Sequence, residues 1–173
     1  MLVAGGINFY AGGFPTDSSR LFNSEIYDPA TGTWTPTGQM GANGGGADSA
    51  VLLPNGTVMV TGGIADINGN PSAEVQIYNP STGNWWSYVP QLLSARYGHT
   101  ATLLPNGTIL VTGGYGNGTT LASSEIYDPV TNTWRSTGSL KTSRSGQTAT
   151  LLSDGTVLVA FGSGDVVTEI YMP

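Results

Sequence analysis

Apolar residues in this chain come in short runs, none longer than a strand and most broken by glycine, and nowhere do they recur at helical spacing. The pattern predicts an all-β chain. It also repeats itself. Leu52-Leu53-Pro54-Asn55-Gly56-Thr57-Val58-Met59-Val60-Thr61-Gly62-Gly63 returns 51 residues later as Leu103 to Gly114, and after 48 more as the altered copy Leu151 to Gly162. A second phrase, Glu25-Ile26-Tyr27-Asp28-Pro29 with Trp34, recurs as Gln76 to Pro80 with Trp85 and as Glu125 to Pro129 with Trp134. It ends as Glu169-Ile170-Tyr171-Met172-Pro173.

Each unit divides into four strands. Asn55-Gly56, Asn106-Gly107 and Asp154-Gly155 lie between aliphatic or β-branched runs and predict tight type I′ hairpins, with positive φ at both central residues, joining strand one to strand two. Between the Tyr and Trp of the second phrase, Asp-Pro or Asn-Pro is followed by Gly32, Gly83 or Asn132, residue types that accept a left-handed backbone. They predict a second hairpin joining strands three and four. A period of about 50 residues with four short antiparallel strands is that of a β-propeller blade.

The Gly-Gly pair, the variable loop after it, and the Glu-Ile-Tyr-Asp-Pro-x-Thr-Gly-x-Trp phrase resemble the kelch repeat, above all its bacterial form, over the whole chain. The resemblance implies that the glycine pair lets strands approach closely and that the Tyr and Trp pack within and between blades. Residues 1–38 are then strands two to four of one blade, 43–88 and 92–137 two full blades, and 143–173 strands one to three of another. That makes fourteen strands, or about three and a half blades. Propellers close with roughly 4–8 blades, so such an arc leaves two bare ends. Three closures remain open: a second copy completing an eight-bladed ring, a longer propeller of which this is a fragment, or an unusually small ring. The expectation carried forward is the homodimer.

Composition narrows the chemistry. Charged residues are 9% of the 173, five basic against eleven acidic, so no basic surface exists to neutralise a nucleic-acid backbone. The absence of Cys removes disulfides and thiolate chemistry. Met1 leads into Leu2-Val3-Ala4-Gly5-Gly6 without a basic start or long apolar stretch, so neither a signal peptide nor a membrane span is expected. The residue inventory excludes a galactose-oxidase-like copper site, which needs Cys and several His where this chain has one His. Four arginines spread over the repeats do not make a sialidase-like cluster.

Candidate site residues lie on the loops from strand two to three and from strand four to the next strand one. The former run 18 residues (7–24), 12 (64–75), 10 (115–124) and 6 (163–168), while the opposite hairpins hardly vary. Phe9, Tyr10, Phe14, Tyr88, Tyr97 and Tyr115 gather there, either plugging the rim or contacting a ligand. Arg96 and Arg144 share one repeat position, where the earlier repeat has Gly45. They either lock blades by bonding carbonyls and a carboxylate or, with Tyr10, Phe14, Tyr88, Tyr97 and Tyr115, bind an anionic or hydroxyl-rich ligand. His99 aligns with Gln147 and Asp48 and is read as a hydrogen-bonding strand residue; Glu25, Glu125 and Glu169 are read as scaffold. Asp66 to Asn70 resembles a calcium loop with its Gly misplaced and its late acid missing. The sequons at Asn55 and Asn106 are explained by their turns. No catalytic residue, metal or cofactor is expected. The expected function is a non-catalytic, self-associating scaffold binding a protein, peptide or glycan; the alternative is a structural piece of a larger propeller enzyme, hydrolase or adhesin.

Overall fold

In the computed structural model, residues 1–4, 21–41, 46, 48–66, 68–163 and 167–173 are described. They form small antiparallel sheets and no helix. The first sheet has three strands, β1 (Leu2–Ala4), β2 (Ser24–Asp28) and β3 (Thr33–Thr37). The second has four, β4 (Ser49–Leu52), β5 (Val58–Thr61), β6 (Val75–Asn79) and β7 (Asn84–Trp86). The third is built from β8 (Thr100–Leu103), β9 (Ile109–Thr112), β12 (Ser124–Asp128) and β13 (Thr133–Thr137). The last has β14 (Thr148–Leu151), β15 (Val157–Ala160) and β16 (Glu169–Tyr171). These are the fourteen expected strands. Two more, β10 (Tyr115–Gly116) and β11 (Thr119–Thr120), make a hairpin inside the 115–124 loop that the repeat pattern did not announce.

Side chains alternate across each strand, so every blade presents one apolar set to the blade before it and another to the blade after. Met59 and Ile77 of the second sheet pack against Ile109, Val111 and Tyr127 of the third, with Trp134 closing the cluster. Leu110 and Ile126 then meet Val157 and Val159 of the last sheet. The seam between the first two sheets depends more on polar tips: the Trp85 indole N–H reaches both Ser24 Oγ and Gly38 O at 3.0 Å, and the Tyr78 hydroxyl lies 2.6 Å from Thr37 Oγ1.

The first hairpin differs from expectation. Positive φ is found at Gly56, Gly107 and Gly155 but not at Asn55, Asn106 or Asp154, so these are not type I′ turns. The Gly56 and Gly107 N–H groups donate back to Leu53 O and Leu104 O at 2.9 Å, closing turns that carry Pro54 and Pro105 at their second position. Proline fixes φ near −65°, which suits a type I turn followed by a left-handed glycine and excludes the mirror-image turn. The Asn or Asp Oδ1 accepts the backbone N–H and the hydroxyl of the Thr two residues on. At the second hairpin the left-handed residues stand where expected, with φ of 70° at Gly32, 71° at Gly83 and 55° at Asn132.

Candidate functional site

The two variable connections of each blade lie side by side. Arg96 N–H donates to Ser72 O at 2.9 Å and Leu92 N–H to Ala73 O at 3.0 Å, while Arg144 and Leu140 repeat the arrangement against Leu121 and Ala122. In the third blade Tyr97 and Tyr115 exchange backbone hydrogen bonds of 3.1 and 2.6 Å, and their rings stand 5.2 Å apart, half-buried. Burial pushes the Tyr97 phenol up and Tyr115 adds to it, so it stays a neutral donor at physiological pH. The structure thus joins two of the expected residues. Tyr88 stands apart, 93% exposed and without a ring contact to either among the described residues. It occupies the repeat position of Thr37 and Thr137, which bond Tyr78 and Tyr171 of the following blade; with Tyr88 there, the Tyr127 hydroxyl bonds Asn132 instead. Phe9, Tyr10 and Phe14 lie outside the described residues.

Arg96 and Arg144 are inside the protein. Arg96 is fully buried, and all its donor nitrogens are engaged: Nε with Ser94 O, one terminal nitrogen with Gly113 O and Ser123 O, the other with Ser123 Oγ and Glu125 at 2.6 Å. Burial pulls its pKa down, against the opposing pull of Glu125. Glu125 also takes the Leu93 and Ser94 N–H groups. Glu169 takes those of Lys141 and Thr142, with Arg144 at 2.8 Å. Burial alone would raise the Glu169 pKa, yet these two amides and Arg144 bring it below the ordinary value. The backbones of Arg96 and Arg144 meanwhile accept the N–H of Gly63 and Gly114 from the preceding blade, each at 2.8 Å. Each arginine therefore fastens two blades, its main chain to one and its side chain to the next.

The remaining polar candidates are structural. His99 Nε2 is 2.8 Å from Thr61 Oγ1 across a blade seam; its Nδ1 lies 3.3 Å from Asp48 without hydrogen-bond geometry, and Asp48 accepts the His99 backbone N–H instead. The repeat-equivalent Gln147 bridges the next seam through Thr112 O. The Asp66 carboxylate accepts N–H groups from Asn68 and Asn70, so donors already crowd the oxygens a calcium ion would use. Among the described residues no cluster of His, Asp or Glu is arranged to hold a metal, and no helix is long and apolar enough to cross a membrane. The missed signal was the pairing of positions: wherever the loop carries Arg, strand three carries Glu, and where it carries Gly45, strand three carries Gln76.

Comparison with known proteins agrees with this architecture. Residues 95–141, nearly the whole third blade, match the Kelch motif. The chain is 38% identical over 85 residues to an F-box/kelch-repeat protein of Arabidopsis thaliana, covering 48% of this chain and 22% of that protein. It is 32% identical over 111 residues to Kelch-like protein 23 of Homo sapiens, covering 64% of this chain and 19% of that protein. The chain thus spans about a fifth of the length of these relatives. Its four sheets are built on one repeated unit, and the copy at residues 95–141 matches the Kelch motif.

Proposed function

We propose that the chain is a non-catalytic scaffold that binds a protein, peptide or glycan through its variable-loop face. The observation that carries this reading is the Tyr97–Tyr115 pair: two half-buried rings held side by side by reciprocal backbone bonds between two loops. Rigid, amphipathic tyrosines offer apolar area and a hydroxyl at little entropic cost, which suits either a peptide or a sugar ring. Arg96 and Arg144, with their side chains committed to Glu125 and Glu169, act here by holding the loops in place. Tyr10, Phe14 and Tyr88 remain in the proposed contact set. Peptide and glycan arrays probed with the native chain and with Tyr97→Ser and Tyr115→Ser test it. Binding that both substitutions weaken at least tenfold is expected; binding indifferent to both would remove the loop face from consideration.

The scaffold is further proposed to close its ring with a second copy. Val60, Tyr78 and Trp85 face the first sheet, and their equivalents there are Val3, Tyr27 and Trp34, against which no other sheet packs among the described residues. Trp34 is 44% exposed where Trp134 is 9%. At the other end Ile170 is exposed, whereas its equivalents Ile77 and Ile126 are buried. The two bare faces are of the types that meet at every internal seam, so they suit one another head to tail. A solution mass of about twice 17.8 kDa is the expected outcome. A soluble 17.8 kDa monomer would favour the alternative, a structural segment of a larger propeller.

A further inference from the structure

Asparagine is followed by glycine at Asn43, Asn55, Asn68, Asn106 and Asn117, and the first of these lies outside the described residues. Such a step carries a latent reaction, because a glycine main-chain nitrogen has no neighbouring Cβ to shield it from the asparagine carboxamide. Asn55, Asn106 and Asn117 share the tripeptide Asn-Gly-Thr and are all exposed, so neither the following residues nor access to water distinguishes them. Their hydrogen bonds do. The Gly56 and Gly107 N–H groups donate to Leu53 O and Leu104 O at 2.9 Å. Asn55 and Asn106 Oδ1 each accept the N–H and the hydroxyl of the Thr two residues on, at 2.7–3.1 Å. The Gly69 N–H is likewise committed, to Asp66 O at 3.2 Å. Among the described residues, Gly118 is the glycine of these steps whose N–H has no acceptor, and the Asn117 carboxamide has no partner either.

We propose that Asn117 is a self-modification site, deamidating in the folded protein to aspartate and isoaspartate while Asn55 and Asn106 are held intact. Gly118 N gives up its proton and bonds to Asn117 Cγ; the Cγ–Nδ2 bond breaks, and the amide leaves as ammonia with that proton. Water then opens the five-membered imide at either carbonyl. Cleavage at the side-chain carbonyl leaves aspartate, and cleavage at the main-chain carbonyl leaves isoaspartate. The turn must open for the nitrogen to reach Cγ, and this one opens at little cost. Its hairpin has only two residue pairs, Tyr115 with Thr120 and Gly116 with Thr119, whereas the turns at Asn55 and Asn106 join blade strands paired over four positions. An isoaspartate adds a main-chain carbon to a two-residue turn, and either product places a carboxylate two residues from Tyr115 on a chain already at −6. The Tyr115 backbone bonds to Tyr97 loosen as the hairpin loses register. The reaction needs no ligand at the loop face, so it stands or falls apart from the scaffold reading.

The test is a time course of the native chain at mildly alkaline pH and physiological temperature, beside a sample unfolded in guanidinium chloride. Peptide mapping by mass spectrometry follows the amide-to-acid conversion at each asparagine, with isoaspartate resolved from aspartate by retention. In the folded chain Asn117 should convert about tenfold or more faster than Asn55 and Asn106, whose reaction must first break the turn bonds. In denaturant the three rates should converge, since the tripeptide is the same. Comparable rates in the folded chain overturn the proposal. A preference for Asn117 that persists unchanged in denaturant also overturns it, because the cause would then be sequence and not the hydrogen bonds. Amide exchange at Tyr97 and Tyr115 should quicken in step with the isoaspartate fraction and stay constant in an equally aged Asn117→Gln chain. Protection that outlasts full conversion would overturn the loosening of the loop face.

Discussion

A guanidinium sealed from water needs a partner for every donor, and Arg96 finds them around one carboxylate and four oxygens of its own blade. Removing one member of such a pair leaves the other charge buried, which costs about 3–5 kcal/mol. Arg96→Gly should therefore destabilise by that amount in chemical denaturation. Adding Glu125→Gln should return much of the loss, because Gln76 already serves a blade whose loop carries Gly45, accepting the Gly41 N–H at 3.0 Å. Strict additivity of the two changes would contradict this. Glu169 gives the pH counterpart. Its folded pKa lies below the ordinary 4.5, so its contribution is complete above about 4.5 and fades as pH falls through the lower folded value. The difference in Tm between the native chain and Glu169→Gln should accordingly be constant near neutrality and shrink in acid; a difference that grew in acid would reverse the assignment. The sequence announced two arginines in register and left two roles open. The pairing of Arg with Glu and of Gly with Gln was also written there, but only contact geometry shows that those positions meet.

Strands and turns were the most legible level, because a repeat states each signal several times and tertiary context cannot override all copies at once. The hairpin after strand one was located correctly and its conformation misread: Asn-Gly suggests a mirror-image turn centred on those two residues, but the turn is set one residue earlier, with Pro54, Pro105 or Ser153 at its second position and the glycine closing it left-handed. Glycine then does two different jobs a few residues apart. At Gly56, φ is 83° and an added Cβ would meet nothing within 4 Å, so Gly56→Ala should cost only the left-handed backbone penalty, about 1–2 kcal/mol. At Gly62, φ is 59° and the same Cβ would stand 2.5 Å from the Arg96 carbonyl oxygen of the next blade. Gly62→Ala must shift that seam as well and should be clearly the more damaging in thermal unfolding. Equal losses would mean that the close approach is easily relaxed. The β10–β11 hairpin was written in the sequence and overlooked: Asn117-Gly118 makes its two-residue turn with φ of 52° and 77°, the type I′ conformation expected at the repeated Asn-Gly pairs, but this pair lies in a variable loop and recurs in no other repeat.

At the scale of the molecule, the seams between blades set what can pack against the outer sheets. In the last sheet the glycine of the Gly-Gly pair is replaced by Phe161, which keeps a left-handed φ of 62° and is 75% exposed. A following blade with the usual loop before its first strand would bring a carbonyl oxygen to that spot, as Arg96 O and Arg144 O come within 2.5 and 2.8 Å of the Cβ positions at Gly62 and Gly113. Phe161 obstructs such a neighbour. In the proposed closure by a second copy, the two-fold axis runs along the channel and the same head-to-tail contact is made twice. Val3→Asp on one bare face and Ile170→Asp on the other should each convert a species of about twice 17.8 kDa into the monomer, because either charge would be buried without a partner at both seams. Val130→Asp, on an exposed turn, should leave the mass unchanged. If light scattering finds the native chain monomeric, or finds Val130→Asp as disruptive as the other two, the bare faces do not meet in this way.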